Sequence, residues 1–212
     1  MEDQFFDNLR EKVKTIMEKD GSHDFSHVER VYNLAMKIVE GEKVDLDILK
    51  AAVLLHDIAR NKENNGEVQC HAEEGAKLAR EILLETHFPK EKIPLVQDCI
   101  KVHRYSKKLM ANTKEAEILQ DADRLDALGA ITIARVFMYN GHRGNPLYEP
   151  EREPEEDYHG QETNAINHFY EKIFKIEPET FKTKKAKEIA KERYAFVKEY
   201  VERFIKEWKG EL

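Results

Sequence analysis

The stretch AAVLLHDIAR, residues 51–60, decides how this chain folds. Five apolar residues lead directly into an adjacent histidine and aspartate, His56 and Asp57. The segment from Ile48 to Ile58 is apolar on nearly every side of a helix, which is typical of a helix that is buried all round. Asp45 is its candidate N-cap. We therefore expect this helix to form the centre of the core.

The helical pattern continues along nearly the whole chain, with apolar residues recurring three and four positions apart. We find no convincing hairpin pattern and no internal repeat, so the sequence predicts an all-α protein. Asn61 to Gly66 is predicted as a polar connection, and Gly141 to Gly160 as a loop. The other predicted helices run from Phe5 to Lys19, from about Phe25 to just before Gly41, from His71 to Thr86, from Lys92 to Tyr105, from Lys114 through Asn140 with a break near Asp121, from Thr163 to Lys175, and from Phe181 to Lys209.

Length and composition limit the kinds of protein this can be. A chain of 212 residues forms one sizeable core, so we expect a single domain over residues 1–212, with residues 161–212 as a helical appendage at most. Only two cysteines, no apolar run long enough to cross a bilayer and no basic signal-peptide head indicate a cytoplasmic protein. The net charge of -7 argues against a broad nucleic-acid surface.

The His56-Asp57 pair carries the first chemical signal. An unpaired carboxylate at the end of a dry helix would cost several kcal/mol or become neutral. A cation removes that cost, because imidazole nitrogens and carboxylate oxygens are good ligands for divalent metals. A buried hydrogen bond between the two side chains is the simpler alternative. The dyad alone is weak evidence, since His23 and Asp24 form a second one in a predicted turn.

Two further residues extend the candidate metal site. His27 lies near the first turn of the preceding helix, and Asp123 lies in a segment, Leu119 to Leu128, where acids alternate with apolar residues. Asp123 and Asp126 are three apart and would share one helical face, whereas Asp121 falls on another and is interpreted as a helix cap. Three helices would then bring their ligands to one ion.

The ordered set of His27, His56 with Asp57, and Asp123 resembles the histidine-aspartate (HD) superfamily of metal-dependent phosphohydrolases. The strings HDFSHVERVYNLA, AAVLLHDIAR, LQDADRLDALGAI and AINHFYEKIFKI are similar to a bacterial and archaeal branch that includes nucleotide pyrophosphohydrolases. The resemblance spans nearly the whole chain. It implies an HD-domain-like helical bundle with the metal site in its core, and His27, His56, Asp57 and Asp123 as the metal ligands.

The resemblance also gives expectations for the residues around the metal. Relatives with two metals place further histidines where His71 and His103 stand, so these two either bind a second ion or contact substrate phosphate, and we favour the latter. Asp126 and His71 are the candidates for proton transfer. Arg60 stands where one nucleotidase branch has a catalytic acid, so the general acid and the general base of the reaction are left unassigned. The predicted substrate-binding residues are Arg30, Lys62, His103 and Arg104, whose charges suit phosphate oxygens.

The function expected from the resemblance is cleavage of a nucleoside or deoxynucleoside triphosphate with release of pyrophosphate. Within hydrolases the alternative is a phosphodiesterase or a nucleoside-monophosphate phosphatase. A non-catalytic nucleotide-binding regulatory module is an alternative of another class, supported by the missing acid at Arg60. A helical interaction protein would leave the buried dyad unexplained.

The expected cofactor is one divalent metal ion. Nitrogen and oxygen ligands accept manganese, magnesium, iron, nickel, cobalt or zinc, and manganese is our first choice. The expected partner is a small phosphate substrate, with no membrane and no extended nucleic acid. The long amphipathic helix at the end of the chain, whose apolar stripe runs from Ala186 to Trp208, is either core or the interface of a homodimer.

Overall fold

The computed structural model describes residues 1–19, 25–107, 109–156 and 164–212. These residues form helices joined by turns and loops, and the described ranges contain no strand. The all-α prediction is confirmed. None of the helices in these ranges is long and apolar enough to span a membrane. The described residues form ten α-helices: α1 (Asp3–Lys19), α2 (Phe25–Ile38), α3 (Leu46–Leu55), α4 (Arg60–Asn64), α5 (His71–Glu85), α6 (Ile93–Val102), α7 (Lys114–Leu125), α8 (Ala130–His142), α9 (Ala165–Glu171) and α10 (Lys184–Trp208).

The chain divides into two compact units, Met1–Asp123 and Arg124–Leu212, with the boundary inside α7. This division falls well before residue 161, where the sequence suggested an appendage. The single domain over residues 1–212 stays a prediction.

Helix α3 is the centre of the first unit, as its sequence predicts. It contacts α1, α2, α5 and α6. Six of its eight residues from Ile48 to Leu55 are at most 1% exposed. Asp45 caps the helix, because its Oδ1 accepts hydrogen bonds from the backbone N–H groups of Asp47 and Ile48. The cap fixes where α3 begins and therefore which residues stand at its other end.

The second unit is built around α10, which packs against α8 and a 3-10 turn at Pro178–Thr180, while α8 also contacts α9. The buried residues of α10 are Ala186, Ala190, Val197 and Val201, so much of the predicted stripe is core. The loop after α8 is held to α9 by backbone hydrogen bonds from Ala165 to Pro146 and from Ile166 to Leu147.

Three local predictions differ from the structure. The break predicted near Asp121 occurs at residues 126–129 instead, and Asp121 lies inside α7 with no exposed surface, so its interpretation as a cap is wrong. The predicted polar connection after the dyad contains the short helix α4. Asp126 follows the last residue of α7, so it does not share a helical face with Asp123. The His23-Asp24 dyad lies outside the described residues.

Candidate metal centre

His56 is held at the end of α3 in a defined orientation. It is the C-cap residue, it has no exposed surface, and its Nδ1 lies 2.7 Å from the carbonyl oxygen of Val53. A carbonyl oxygen can only accept, so Nδ1 carries the proton and Nε2 presents a lone pair. Burial lowers the pKa of His56 to about 4, which keeps the ring neutral. A neutral imidazole with a fixed tautomer is what a metal ligand requires.

His27 and Asp123 meet beside His56. His27 is the third residue of α2, and its Nε2 lies 3.4 Å from Nε2 of His56 and 3.2 Å from Oδ1 of Asp123. Asp57 completes the group, with its Oδ2 3.8 Å from Nε2 of His27 and 3.9 Å from Nε2 of His56. Side chains nearly a hundred positions apart therefore converge, as the sequence predicts.

Both carboxylates of this group are ionised. Burial by itself would raise the pKa of Asp57, but the charges and hydrogen bonds of His56, His103 and His71 hold it well below its usual range. Burial also acts to raise the pKa of Asp123, and the hydrogen bond from His27 outweighs it. The side chains of Asp57 and Asp123 are 13% and 26% exposed, so the group opens narrowly to solvent.

The chemistry of these donors fits a divalent cation. Two ionised carboxylates and a neutral imidazole lie together here, an arrangement that a divalent cation would stabilise. Ligand atoms of His27, His56 and Asp57 all lie within 4.8 Å of one another, which is close enough for one ion to contact each. The mixture of nitrogen and oxygen ligands is suited to a borderline divalent metal.

A second group of side chains also includes Asp57 and lies beside the other oxygen of its carboxylate. Oδ1 of Asp57 lies 3.2 Å from Nε2 of His71 and 3.5 Å from Nε2 of His103, and the two histidine Nε2 atoms are 3.3 Å apart. His71 begins α5 and His103 is the C-cap residue of α6, so both sit at helix ends, as predicted. Both side chains are buried.

The second group also needs a positive charge. Nδ1 of His103 lies 2.6 Å from the carbonyl oxygen of Ile100, and Nδ1 of His71 contacts the carboxylate of Glu63. Each ring therefore uses its Nδ1 proton elsewhere, and in the neutral state their Nε2 lone pairs would face each other and Asp57. Burial lowers the pKa of His103, but the hydrogen bond to Asp57 outweighs it and raises the pKa overall. A proton or a cation resolves the repulsion.

Glu63 is a residue of this site that sequence reasoning missed. Its Oε1 accepts a hydrogen bond of 2.7 Å from Nη1 of Arg104, while its Oε2 contacts His71. Burial acts to raise the pKa of Glu63, but hydrogen bonds from His71 and Arg104 lower it overall. Glu63 and Arg60 both belong to α4, where the sequence indicated only a polar connection. The close spacing of charges after the dyad was the available signal.

The remaining predicted residues have varied surroundings. Nζ of Lys62 lies 3.9 Å from Glu74, and Nη1 of Arg30 donates to Oγ of Ser26 at 3.1 Å. Asp126 belongs to the second unit, where it is buried and its Oδ2 accepts from Nη1 of Arg135 at 3.1 Å. Their roles in binding or catalysis stay predictions.

Comparison with known proteins agrees with this arrangement. The model of the HD domain family matches residues 24–128, which include all four predicted metal ligands. A crystal structure of an HD-superfamily hydrolase from Bacillus thuringiensis is 33% identical, covers 99% of both chains and superposes with a TM-score of 0.80. The chain therefore belongs to the HD superfamily, and it is a hydrolase of that superfamily.

A curated relative is the uncharacterized protein YpgQ of Bacillus subtilis strain 168. It is 31% identical over 217 residues, with 96% of this chain and 94% of YpgQ covered. The crystal structure of YpgQ in complex with ADP superposes with a TM-score of 0.73 at 30% identity, covering 96% of this chain and 95% of that one.

Proposed function

We propose that this protein is a metal-dependent phosphohydrolase that cleaves nucleoside or deoxynucleoside triphosphates to the monophosphate and pyrophosphate. The observation that carries the proposal is the convergence of His27, His56, Asp57 and Asp123, with His56 held neutral and both carboxylates ionised. These four residues would hold the ion. Manganese is the proposed metal, since the mixed nitrogen and oxygen ligands suit it.

A divalent ion at this position would polarise a phosphoryl oxygen and lower the pKa of bound water. The chain's own residues orient the reaction around it. Glu63 fixes the Nδ1 proton of His71, so that Nε2 of His71 is the atom that takes or delivers a proton. Asp126 is the alternative for this step.

The nucleotide part of the proposal rests on similarity. The chain resembles the branch of the superfamily that includes nucleotide pyrophosphohydrolases, and the related YpgQ has been crystallised in complex with ADP. Arg104, which contacts Glu63 beside His71, and the predicted Lys62 carry charges that suit a substrate with several phosphates. No residue specifies a base.

A second candidate function is cleavage of a phosphodiester or a nucleoside monophosphate with two ions. The observation that favours it is the group of Asp57, His71 and His103, whose lone pairs converge at 3.2–3.5 Å. If a second ion replaces the proton there, His71 is a ligand and not an acid or base. The number of ions per chain separates the two candidates.

The test is a substrate screen. The purified protein is incubated with triphosphates, monophosphates and cyclic or linear diesters, each with manganese, magnesium, cobalt, nickel, iron or zinc, and pyrophosphate and phosphate are measured separately. We expect repeated turnover with one pyrophosphate released for each triphosphate consumed. Cleavage of only monophosphates or diesters would favour the second candidate. Binding without turnover would favour the regulatory module.

A further inference from the structure

Charged side chains of both signs lie around His71, because Asp57 and Glu63 contact its two ring nitrogens. Two arginines, Arg60 and Arg104, approach this histidine and its partner Glu63. Within the described residues, Glu63 is the carboxylate that lies within 4.0 Å of either guanidinium. With Asp57 on the other ring nitrogen, two carboxylates balance two arginines in formal charge, but among the described residues only Glu63 pairs directly with one of these arginines.

Both carboxylate oxygens of Glu63 already have partners, Arg104 and His71. Its Oε1 accepts from Arg104 at 2.7 Å, and its Oε2 contacts Nδ1 of His71. Nη1 of Arg60 is 4.0 Å from that same Oε2, which is too long for a hydrogen bond. Arg104 is therefore neutralised in a direct ion pair, whereas Arg60 is not.

The contact between Arg60 and His71 involves only the Nη1 atom of the Arg60 guanidinium. Nη1 of Arg60 lies 3.2 Å from both ring nitrogens of His71. Nδ1 already donates to Glu63 and cannot accept, so Nη1 of Arg60 donates at most one hydrogen bond here, to Nε2 of His71. Since the Arg60 side chain is 44% exposed, its other donors face the solvent beside the site.

We propose that Arg60 binds the phosphate chain of the substrate. It is separated from Asp57 only by His71, whose Nε2 lies 3.2 Å from Oδ1 of Asp57 and also 3.2 Å from Nη1 of Arg60. A planar guanidinium with free donors matches the geometry of phosphate oxygens. The ligand class is a polyphosphate. This inference rests on the proposed function and assigns Arg60 to the phosphate chain of the substrate.

The experiment compares binding of inorganic triphosphate to the manganese-loaded wild type and to Arg60→Gln, Arg60→Lys and Arg80→Gln by calorimetry. Arg80 is the matched control, because it is an exposed arginine on α5. We expect Arg60→Gln to weaken triphosphate binding by about 10- to 100-fold, as loss of a charged hydrogen bond does. Arg60→Lys should lose less, and Arg80→Gln should bind as the wild type does. Metal content should be equal in all four proteins.

Wild-type affinity in Arg60→Gln, or no binding of triphosphate by the wild type, would overturn the inference. The KM for a nucleoside triphosphate, measured on the same proteins, separates it from the proposed function. If the wild type hydrolyses nucleotides with the same KM as Arg60→Gln, the inference fails and the proposed function stands. If no nucleotide is hydrolysed while Arg60→Gln loses triphosphate binding, the proposed function fails and the polyphosphate site stands.

Discussion

At the scale of single residues, Asp57 has the most demanding position, because each of its oxygens faces a different group of histidines. Oδ2 faces His27 and His56, while Oδ1 faces His71 and His103. Its ionised state depends on these neighbours, since burial alone would raise its pKa. One carboxylate therefore joins the candidate metal-binding group to the residue proposed to move protons.

Replacing Asp57 with asparagine keeps its size and removes its charge. We expect Asp57→Asn to weaken metal binding by more than about 100-fold and to abolish turnover, because even supporting residues of metal sites cost 10- to 100-fold. Metal content after dialysis and far-ultraviolet circular dichroism measure the two effects, and helicity should be unchanged. Asp98→Asn, at an exposed acid paired with Lys101, is the control. Full metal content and turnover in Asp57→Asn would refute its assignment as a ligand.

Glu63 contacts His71, and its proposed role through that histidine gives a different prediction. Glu63→Gln removes the charge that holds the Nδ1 proton of His71, so we expect kcat to fall by about 10- to 100-fold. KM and metal content should stay near the wild-type values, and the pH profile of kcat should shift. The exposed Glu67→Gln is the control. An equal fall in kcat and metal content would mean that Glu63 supports the fold of the site and not its chemistry.

At the scale of helices, the sequence predicted where most helices lie but not how they end. The buried helix α3 and its cap at Asp45 follow directly from local pattern, because both depend on neighbours in sequence. The break after α7 does not follow from local pattern. The sequence does not show that Asp121 is buried inside the helix, and without that information Asp121 resembles a helix cap. Tertiary packing decided that boundary.

The same limit applies to the site. His27, His56, Asp57 and Asp123 were identified by their order along the chain and by family resemblance. Glu63 was not identified and Arg60 was noted only as the place of a missing acid, because their contacts arise from the turn after α3. A polar pentapeptide in sequence gives no indication of which of its charges face inward.

The turn before α8 depends on one glycine. Gly129 has φ 92° and ψ -163°, a conformation nearly restricted to glycine, and an added Cβ would lie 3.2 Å from Cγ of Arg193. We expect Gly129→Ala to lower the free energy of unfolding by about 1–3 kcal/mol in urea denaturation. Gly141→Ala, inside the same helix with open space around it, should be neutral or slightly stabilising. Equal effects of the two substitutions would contradict the strain at Gly129.

At the scale of the whole molecule, stability depends on pH through a buried histidine outside the metal site. Burial, together with the nearby charge of Lys172, lowers the pKa of His168 to about 4 from its usual 6.5. As the pH falls below 6.5, the unfolded chain binds a proton that the folded chain does not. The stability contributed by neutral His168 is therefore complete above pH 6.5 and is lost as the pH falls towards 4.

Urea denaturation at pH 7 and pH 4.5, with chelator present, measures this effect. Between pH 7 and pH 4.5 we expect the free energy of unfolding to fall by about 2–3 kcal/mol less in His168→Gln than in the wild type, because the variant has no group to protonate there. His142→Gln, at an exposed histidine, should behave as the wild type. An identical acid dependence in His168→Gln and the wild type would show that His168 is protonated equally in both states.

The homodimer also belongs to this scale and stays a prediction. Within the second unit, the stripe on α10 is largely used by internal packing, while Trp208 is 48% exposed. Sedimentation at several concentrations would measure the association state.

Anomalous diffraction from a crystal soaked in manganese is the most direct test of the metal centre. We expect a peak within bonding distance of His27, His56, Asp57 and Asp123. A second peak at His71 and His103 would favour the two-ion alternative while keeping the centre. Absence of any peak among the four predicted ligands, in a protein that nevertheless turns over with manganese, would contradict the account.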